Sequence, residues 1–200
     1  MKRLLTYIIM LLPLSMMAQT PQQVVQQFMQ KLEEKTLASE YAISINDGQA
    51  QQTAYSGELK MRGSRFVLTM LETEAAFDGK TLYIYQEDLN ELTLSEPSQE
   101  ELLEANPMLF AKALLKTSAL RFSVGTADEK SWSIDFVPAS KDAGIQRFVL
   151  KLRKSDLLPQ EIQIREGKQT TRIRFKNAAF STEQPAFKLD KKGAFVNDMR

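Results

Sequence analysis

Apolar and polar positions alternate with a period of two along most of this chain, the signature of half-buried strands. Tyr41, Ile43 and Ile45 alternate up to a turn at Asn46-Asp47-Gly48. Tyr55, Gly57, Leu59 and Met61 run to Gly63-Ser64, and Phe66, Leu68 and Met70 follow with the same period. Ala75 to Phe77 and Thr81 to Tyr85 flank Asp78-Gly79, a strong hairpin signal. Glu91 to Leu94 reads as a short strand ending at Glu96-Pro97. Later strands are cleaner, greasy on one side and charged on the other: Leu120 to Val124, Trp132 to Phe136, Phe148 to Arg153, Ile162 and Ile164, and Arg172 to Lys176. The stretch from Pro185, with Phe187, Leu189 and Phe195, is predicted to be irregular or an edge segment.

Two stretches carry helical spacing instead. Thr20 suits an N-cap and Pro21 the first helical position, after which Val24, Val25, Phe28, Met29 and Leu32 line one face through Lys35. In the middle, Ser98 caps a run with Glu100, Glu101, Leu102 and Leu103, and Pro107 opens Met108 to Lys116. That second segment has five large apolar side chains in nine residues and two charges, so it does not lie bare on a surface. The predicted fold class is mainly β (α+β), an antiparallel meander with an N-terminal helix and a short helical insertion. Turn signals without repeats or linkers predict one domain over residues 19–200.

Around Asp78-Gly79 both faces of the strand are apolar: Thr81, Tyr83 and Tyr85 on one, Leu82 and Ile84 on the other. Such a strand sits inside a sandwich or lines a greasy cavity. The short, very apolar helical material available as cover favours the cavity.

Residues 1–18 read as a signal peptide: Lys2 and Arg3, an apolar run from Leu4 to Met17, and Ala18 at the cleavage site. The alternative is a retained membrane anchor, for which the run is short and broken. Without Lys2 and Arg3, 24 basic side chains stand against 25 acidic ones, a net charge of −1. This balance argues against nucleic acid and against docking on an anionic membrane. The chain has no cysteine, hence no disulfide and no site for a lipid anchor, and no histidine. Nucleophile–histidine pairs and His or Cys metal sites are therefore excluded, and no cofactor is expected. Asp78, Glu87, Asp88 and Glu91 cluster around one hairpin and would suit glycoside hydrolysis, but such residues are more often turn formers and surface charges. The chain reads as a non-enzyme.

Several motifs, in order, resemble the LolA family of periplasmic lipoprotein carriers. After the N-terminal helix come Gly57-Glu58-Leu59-Lys60-Met61, Gly63-Ser64-Arg65-Phe66, and Asp78-Gly79-Lys80-Thr81-Leu82-Tyr83-Ile84-Tyr85. Asp88-Leu89-Asn90-Glu91-Leu92-Thr93, the hydrophobic helix, Trp132 to Pro138 and Leu158-Pro159-Gln160-Glu161-Ile162 complete the series. The resemblance implies an incomplete antiparallel β-barrel whose concave face is covered by a helical lid. It implies a periplasmic monomer that holds lipoprotein acyl chains, collected from an inner-membrane ABC-type lipoprotein exporter and passed to an outer-membrane acceptor. A lipid-binding or lipoprotein-sensing module on the same fold is the alternative. The expected acyl-chain cavity comprises Phe28, Leu59, Met61, Phe66, Leu68, Met70, Tyr83, Tyr85, Met108, Leu109 and Leu114. In the family's best-studied branch an arginine before the aromatic strand latches the lid through helix carbonyls. Arg62 is its expected equivalent here, with Arg65 second, within a run that lacks the family's proline; both also read as solvated turn arginines.

Overall fold

The computed structural model describes residues 19–47, 54–123, 128–138 and 145–200; the proposed signal peptide, Gly48 and Val124 lie outside them. The chain opens with α1 (Pro21–Glu34), followed by β1 (Thr36–Asn46), β2 (Ala54–Arg62), β3 (Arg65–Met70), β4 (Thr73–Phe77), β5 (Leu82–Gln86) and β6 (Glu91–Ser95). Two short helices, α2 (Gln99–Ala105) and α3 (Pro107–Leu114), precede β7 (Ser118–Phe122), β8 (Ser131–Pro138), β9 (Ile145–Arg153), β10 (Pro159–Glu166), β11 (Gln169–Ser181) and β12 (Phe195–Asp198). All strands join one open sheet in the order β12-β6-β5-β4-β3-β2-β1-β11-β10-β9-β8-β7. Pairing is antiparallel except at the edge, where β12 runs parallel to β6, with Phe195 opposite Glu91.

The helices begin where their caps say they should. Thr20 accepts from the Gln23 amide while the Gln23 side chain returns to the Thr20 amide, and Ser98 and Glu101 repeat this box on α2. The face of α1 formed by Val24, Val25, Phe28, Met29 and Leu32 is buried. It packs against β1, β2 and β7. Since β2 and β7 are far apart in the strand order, the sheet must curl around the helix to reach it from both sides.

Register sets a continuous apolar face across that curl. Leu59 lies opposite Leu68, Tyr41 opposite Phe175, Ile43 opposite Ile173, Ile162 opposite Leu150 and Phe148 opposite Phe136. Phe136 and Phe148 meet edge to face at 5.1 Å, and Phe110 of α3 rests on Phe148 at 5.7 Å.

The opposite face of β3–β6 explains why β5 is greasy on both sides. Ala76, Tyr83, Leu92 and Leu94 form a separate buried cluster with Val67, Tyr85, Leu189 and Ala194 packed against it. The cover is the chain's own C-terminal segment. Lys191 stands 4.6 Å over the Tyr85 ring, and Arg65 lies 5.0 Å over Phe187, which is buried. The second apolar face of β5 is therefore closed by residues after Pro185, and is not the wall of a cavity.

Candidate functional site

The concave face and the α2–α3 pair enclose an apolar cavity of about 160 Å³. Its floor is Tyr41, Ile43, Leu59, Leu68, Met70, Ile173 and Phe175; its roof is Ala105, Asn106 and Met108. The consecutive strands β1, β2 and β3, with the sequence-distant β11 paired to β1, supply the floor.

Two side-chain bonds at Thr69 shape that floor. Glu58 N–H donates to Thr69 Oγ1 at 3.1 Å, and the Thr69 carbonyl accepts from the Tyr41 hydroxyl at 2.8 Å. The Thr69 carbonyl turns over Gly57, where a side chain would collide with it. Tyr41 is buried, and burial raises the pKa of its phenol, so it stays a neutral donor.

Asn106 stands at the joint of the roof. It is the C-cap of α2 and the N-cap of α3, and its Oδ1 accepts from Met108 N–H at 3.0 Å. Its position directly before Pro107 fits the preference of Asn for N-caps and of Pro for the first helical turn. The roof is tied to α1 by an ion pair between Lys112 and Glu33, both about half exposed.

Of the cavity residues expected from sequence, Leu59, Leu68, Met70 and Met108 line it. Phe28, Met61, Phe66 and Leu109 are closed into the adjoining core, and Leu114 packs at its margin. Tyr83 and Tyr85 are a correction: they lie on the other face of the sheet under the C-terminal segment. The two arginines expected as latches meet different elements. Arg62 Nε donates to the Glu33 carbonyl at 3.3 Å, at the end of α1, and Arg65 covers Phe187. Sequence reasoning missed Tyr41, Ile43, Ile173, Phe175, Ala105 and Asn106 as lining residues. The first four share the alternation phase of Leu59 and Leu68, but only the β1–β11 pairing, across about 130 residues, puts them together.

The Asp78 carboxylate is committed to the β4–β5 turn. Asp78 Oδ1 accepts from the amides of Lys80 and Thr81, and Oδ2 from the Tyr83 hydroxyl. Partial burial pushes its pKa up, but those donors and Lys188 outweigh it and hold the carboxyl below its usual range. A general acid needs the opposite shift. Glu91 accepts from Thr93 and Asn197. Among the described residues no group of acidic side chains is placed to hold a metal. A wider cleft of about 630 Å³ over β8–β11 is lined by charges that neutralise one another, as Lys151 does with Asp128 at 2.9 Å and Arg174 with Glu161 at 3.1 Å. It is a solvated polar face, whereas the smaller cavity is apolar. No helix among the described residues is long and apolar enough to cross a membrane.

An open curved sheet, plugged by an N-terminal helix and roofed by two short helices over an apolar cavity, defines a helix-lidded half-barrel. A family model described as "Outer membrane lipoprotein carrier protein LolA" matches residues 35–190. The chain belongs to this family of non-enzymatic carriers. It is 29% identical over 130 residues to an outer-membrane lipoprotein carrier protein of Ralstonia nicotianae, covering 62% of this chain and 59% of that protein. It thus spans about three fifths of the relative's length. Among solved structures, an uncharacterized conserved protein from Thermus thermophilus matches with a TM-score of 0.58 at 13% identity, over 87% of this chain and 98% of that one. The Pseudomonas aeruginosa MucA/MucB complex contains a chain matching with a TM-score of 0.51 at 13% identity, over 83% of this chain and 59% of that one. At these identities the two structures speak for the fold alone.

Proposed function

We propose that this chain is a periplasmic carrier that shelters lipoprotein acyl chains between the concave face and α2–α3. In this reading residues 1–18 direct export and residues 19–200 form the carrier domain. It takes cargo from an inner-membrane ABC-type exporter and passes it to an outer-membrane acceptor. The observation that carries the reading is the apolar cavity of a LolA-family chain, floored by Leu59, Leu68 and Met70 and roofed by Met108. Methionines at floor and roof suit irregular acyl chains because they repack readily.

The cavity holds about five water-sized volumes, so a whole acyl chain enters only as the roof moves. Complete burial would also oppose handover. At roughly 0.8 kcal/mol per methylene, a ~16-carbon chain carries on the order of 12 kcal/mol. Partial shelter under a movable roof keeps release accessible.

The test incubates the purified protein with spheroplasts whose inner membrane retains labelled lipoproteins. Energy-dependent appearance of lipoprotein in the soluble fraction, bound to the protein, is the expected result. Leu68→Asp places a charge on the cavity floor and is expected to abolish that release. A folded Leu68→Asp variant that releases cargo normally would refute the site, and no release by the folded wild type would refute the carrier role.

A further inference from the structure

We propose that Asn106 is a ligand-binding residue that donates a hydrogen bond to the carbonyl at the head of an acyl chain. The proposal rests on the carrier reading and names the chemical group the cavity would recognise. Asn106 is 1% exposed, lines the cavity, and its Nδ2 has no hydrogen-bond partner. The amide orientation is set by the cap. Oδ1 accepts from Met108 N–H, and a flipped amide would bring two donors together. Nδ2 is therefore left buried without an acceptor beside an apolar cavity, an unfavourable state unless something supplies one.

Nothing in the cavity wall meets that need. The Tyr41 hydroxyl, the one polar group on the floor, donates to the Thr69 carbonyl and makes no bond to Nδ2, and the rest of the floor is Ile43, Leu59, Leu68, Met70 and Ile173 with Phe175. The cap does not require the amide either. Ser, Thr or Asp supplies the same acceptor to the helix without burying an unpaired NH₂ group at the roof. The group that complements this donor at the end of an apolar slot has a carbonyl acceptor joined to a hydrocarbon tail. Ester- and amide-linked acyl chains have that form, and ether-linked alkyl chains do not. Acyl carbonyls occur both on lipoproteins and on membrane phospholipids.

Four probes with matched chains test this: dipalmitoyl phosphatidylcholine, its dihexadecyl ether analogue, and a cysteine peptide carrying either the dipalmitoyl- or the dihexadecylglyceryl group. Wild type is expected to favour ester over ether by about tenfold, the worth of one buried hydrogen bond. Asn106→Ser, with melting checked against wild type, is expected to bind both forms with the wild type's ether affinity. An ester preference confined to the peptides assigns the donor to lipoproteins, and one confined to the phospholipids assigns it to membrane lipid. Equal wild-type affinity for ester and ether, or a preference retained in Asn106→Ser, overturns the role of Asn106 and leaves the carrier reading standing. Failure of all four probes to bind overturns both.

Discussion

Gly57→Ala tests the floor of the cavity directly. A Cβ at residue 57 would overlap the Thr69 carbonyl oxygen outright, and would lie 2.8 Å from the Thr69 carbonyl carbon and 2.9 Å from the Tyr41 hydroxyl. These atoms cannot step aside like the end of a long side chain, because two are backbone and the third is held by the first. Relief requires the Thr69 peptide to rotate away, which breaks the bond from Tyr41. Overpacking costs about 1–3 kcal/mol, and the lost hydrogen bond about 1 kcal/mol more. For a chain of this size each kcal/mol lowers Tm by about 3 °C, so a fall of about 6–12 °C is expected in a thermal melt. Gly167→Ala serves as the comparison. It meets nothing within 4 Å and suffers only from a φ of +57°, a strain of about 1–2 kcal/mol. Tyr41→Phe combined with Gly57→Ala should cost less than the sum of the two, since both remove the same bond. A Gly57→Ala loss no larger than that of Gly167→Ala, or full additivity with Tyr41→Phe, would refute the coupling between Gly57, Tyr41 and Thr69.

Phe148→Ala removes a fully buried ring that touches both Phe136 and Phe110. Urea unfolding should show a loss of about 3–5 kcal/mol, and a loss below about 2 kcal/mol would mean that α3 settles into the space. The carboxyl of Asp78 is held below its ordinary range in the fold, so its stabilisation is present above the unfolded value of about 3.9 and is lost as pH falls through the folded one. Urea midpoints followed from about pH 5 to about pH 3 should fall less steeply in Asp78→Asn than in wild type; parallel slopes would contradict this. Lys112→Gln breaks an exposed ion pair and should change global stability by less than about 1 kcal/mol. Amide exchange in α3 is expected to quicken, whereas unchanged exchange would show that Phe110 and Met108 hold the roof without the pair.

The strands and caps were legible because their signals are local. Period-two alternation marks β1–β3 and β8–β11, and Thr20-Pro21 and Ser98 with Glu101 mark helix starts by side chains that bond within one turn. What alternation does not carry is the identity of the cover on each face. Tyr83 and Leu82 look equally buried in sequence, yet Leu82 joins the main core and Tyr83 is covered by residues more than a hundred positions away. Phe187 and Leu189 give no warning, since an irregular segment has no period. The partner of the candidate latch arginine depends on the same tertiary information. Arg62 ends β2 beside the C-terminus of α1, so its reach is set by tertiary placement that local spacing does not record.

The floor and roof of the cavity are built to differ in rigidity. The floor is a paired sheet locked by the Tyr41–Thr69 bond, whereas the roof is two helices of 7 and 8 residues. Helices that short are not stable alone in water, so α2 and α3 persist through apolar packing on the sheet and through their caps. A ligand that replaces this packing can lift them without unfolding the barrel. This gives the carrier reading a quantitative consequence for acyl chain length. A rigid cavity of about 160 Å³ accepts about five water-sized groups, and affinity for a series of acyl probes would level off near that length. A movable roof lets affinity keep rising by about fourfold per added methylene, the equivalent of roughly 0.8 kcal/mol each. Calorimetric titration across such a series separates the two. Continued growth well past that length requires the roof to move, while an early plateau would mean that α2 and α3 are a fixed wall.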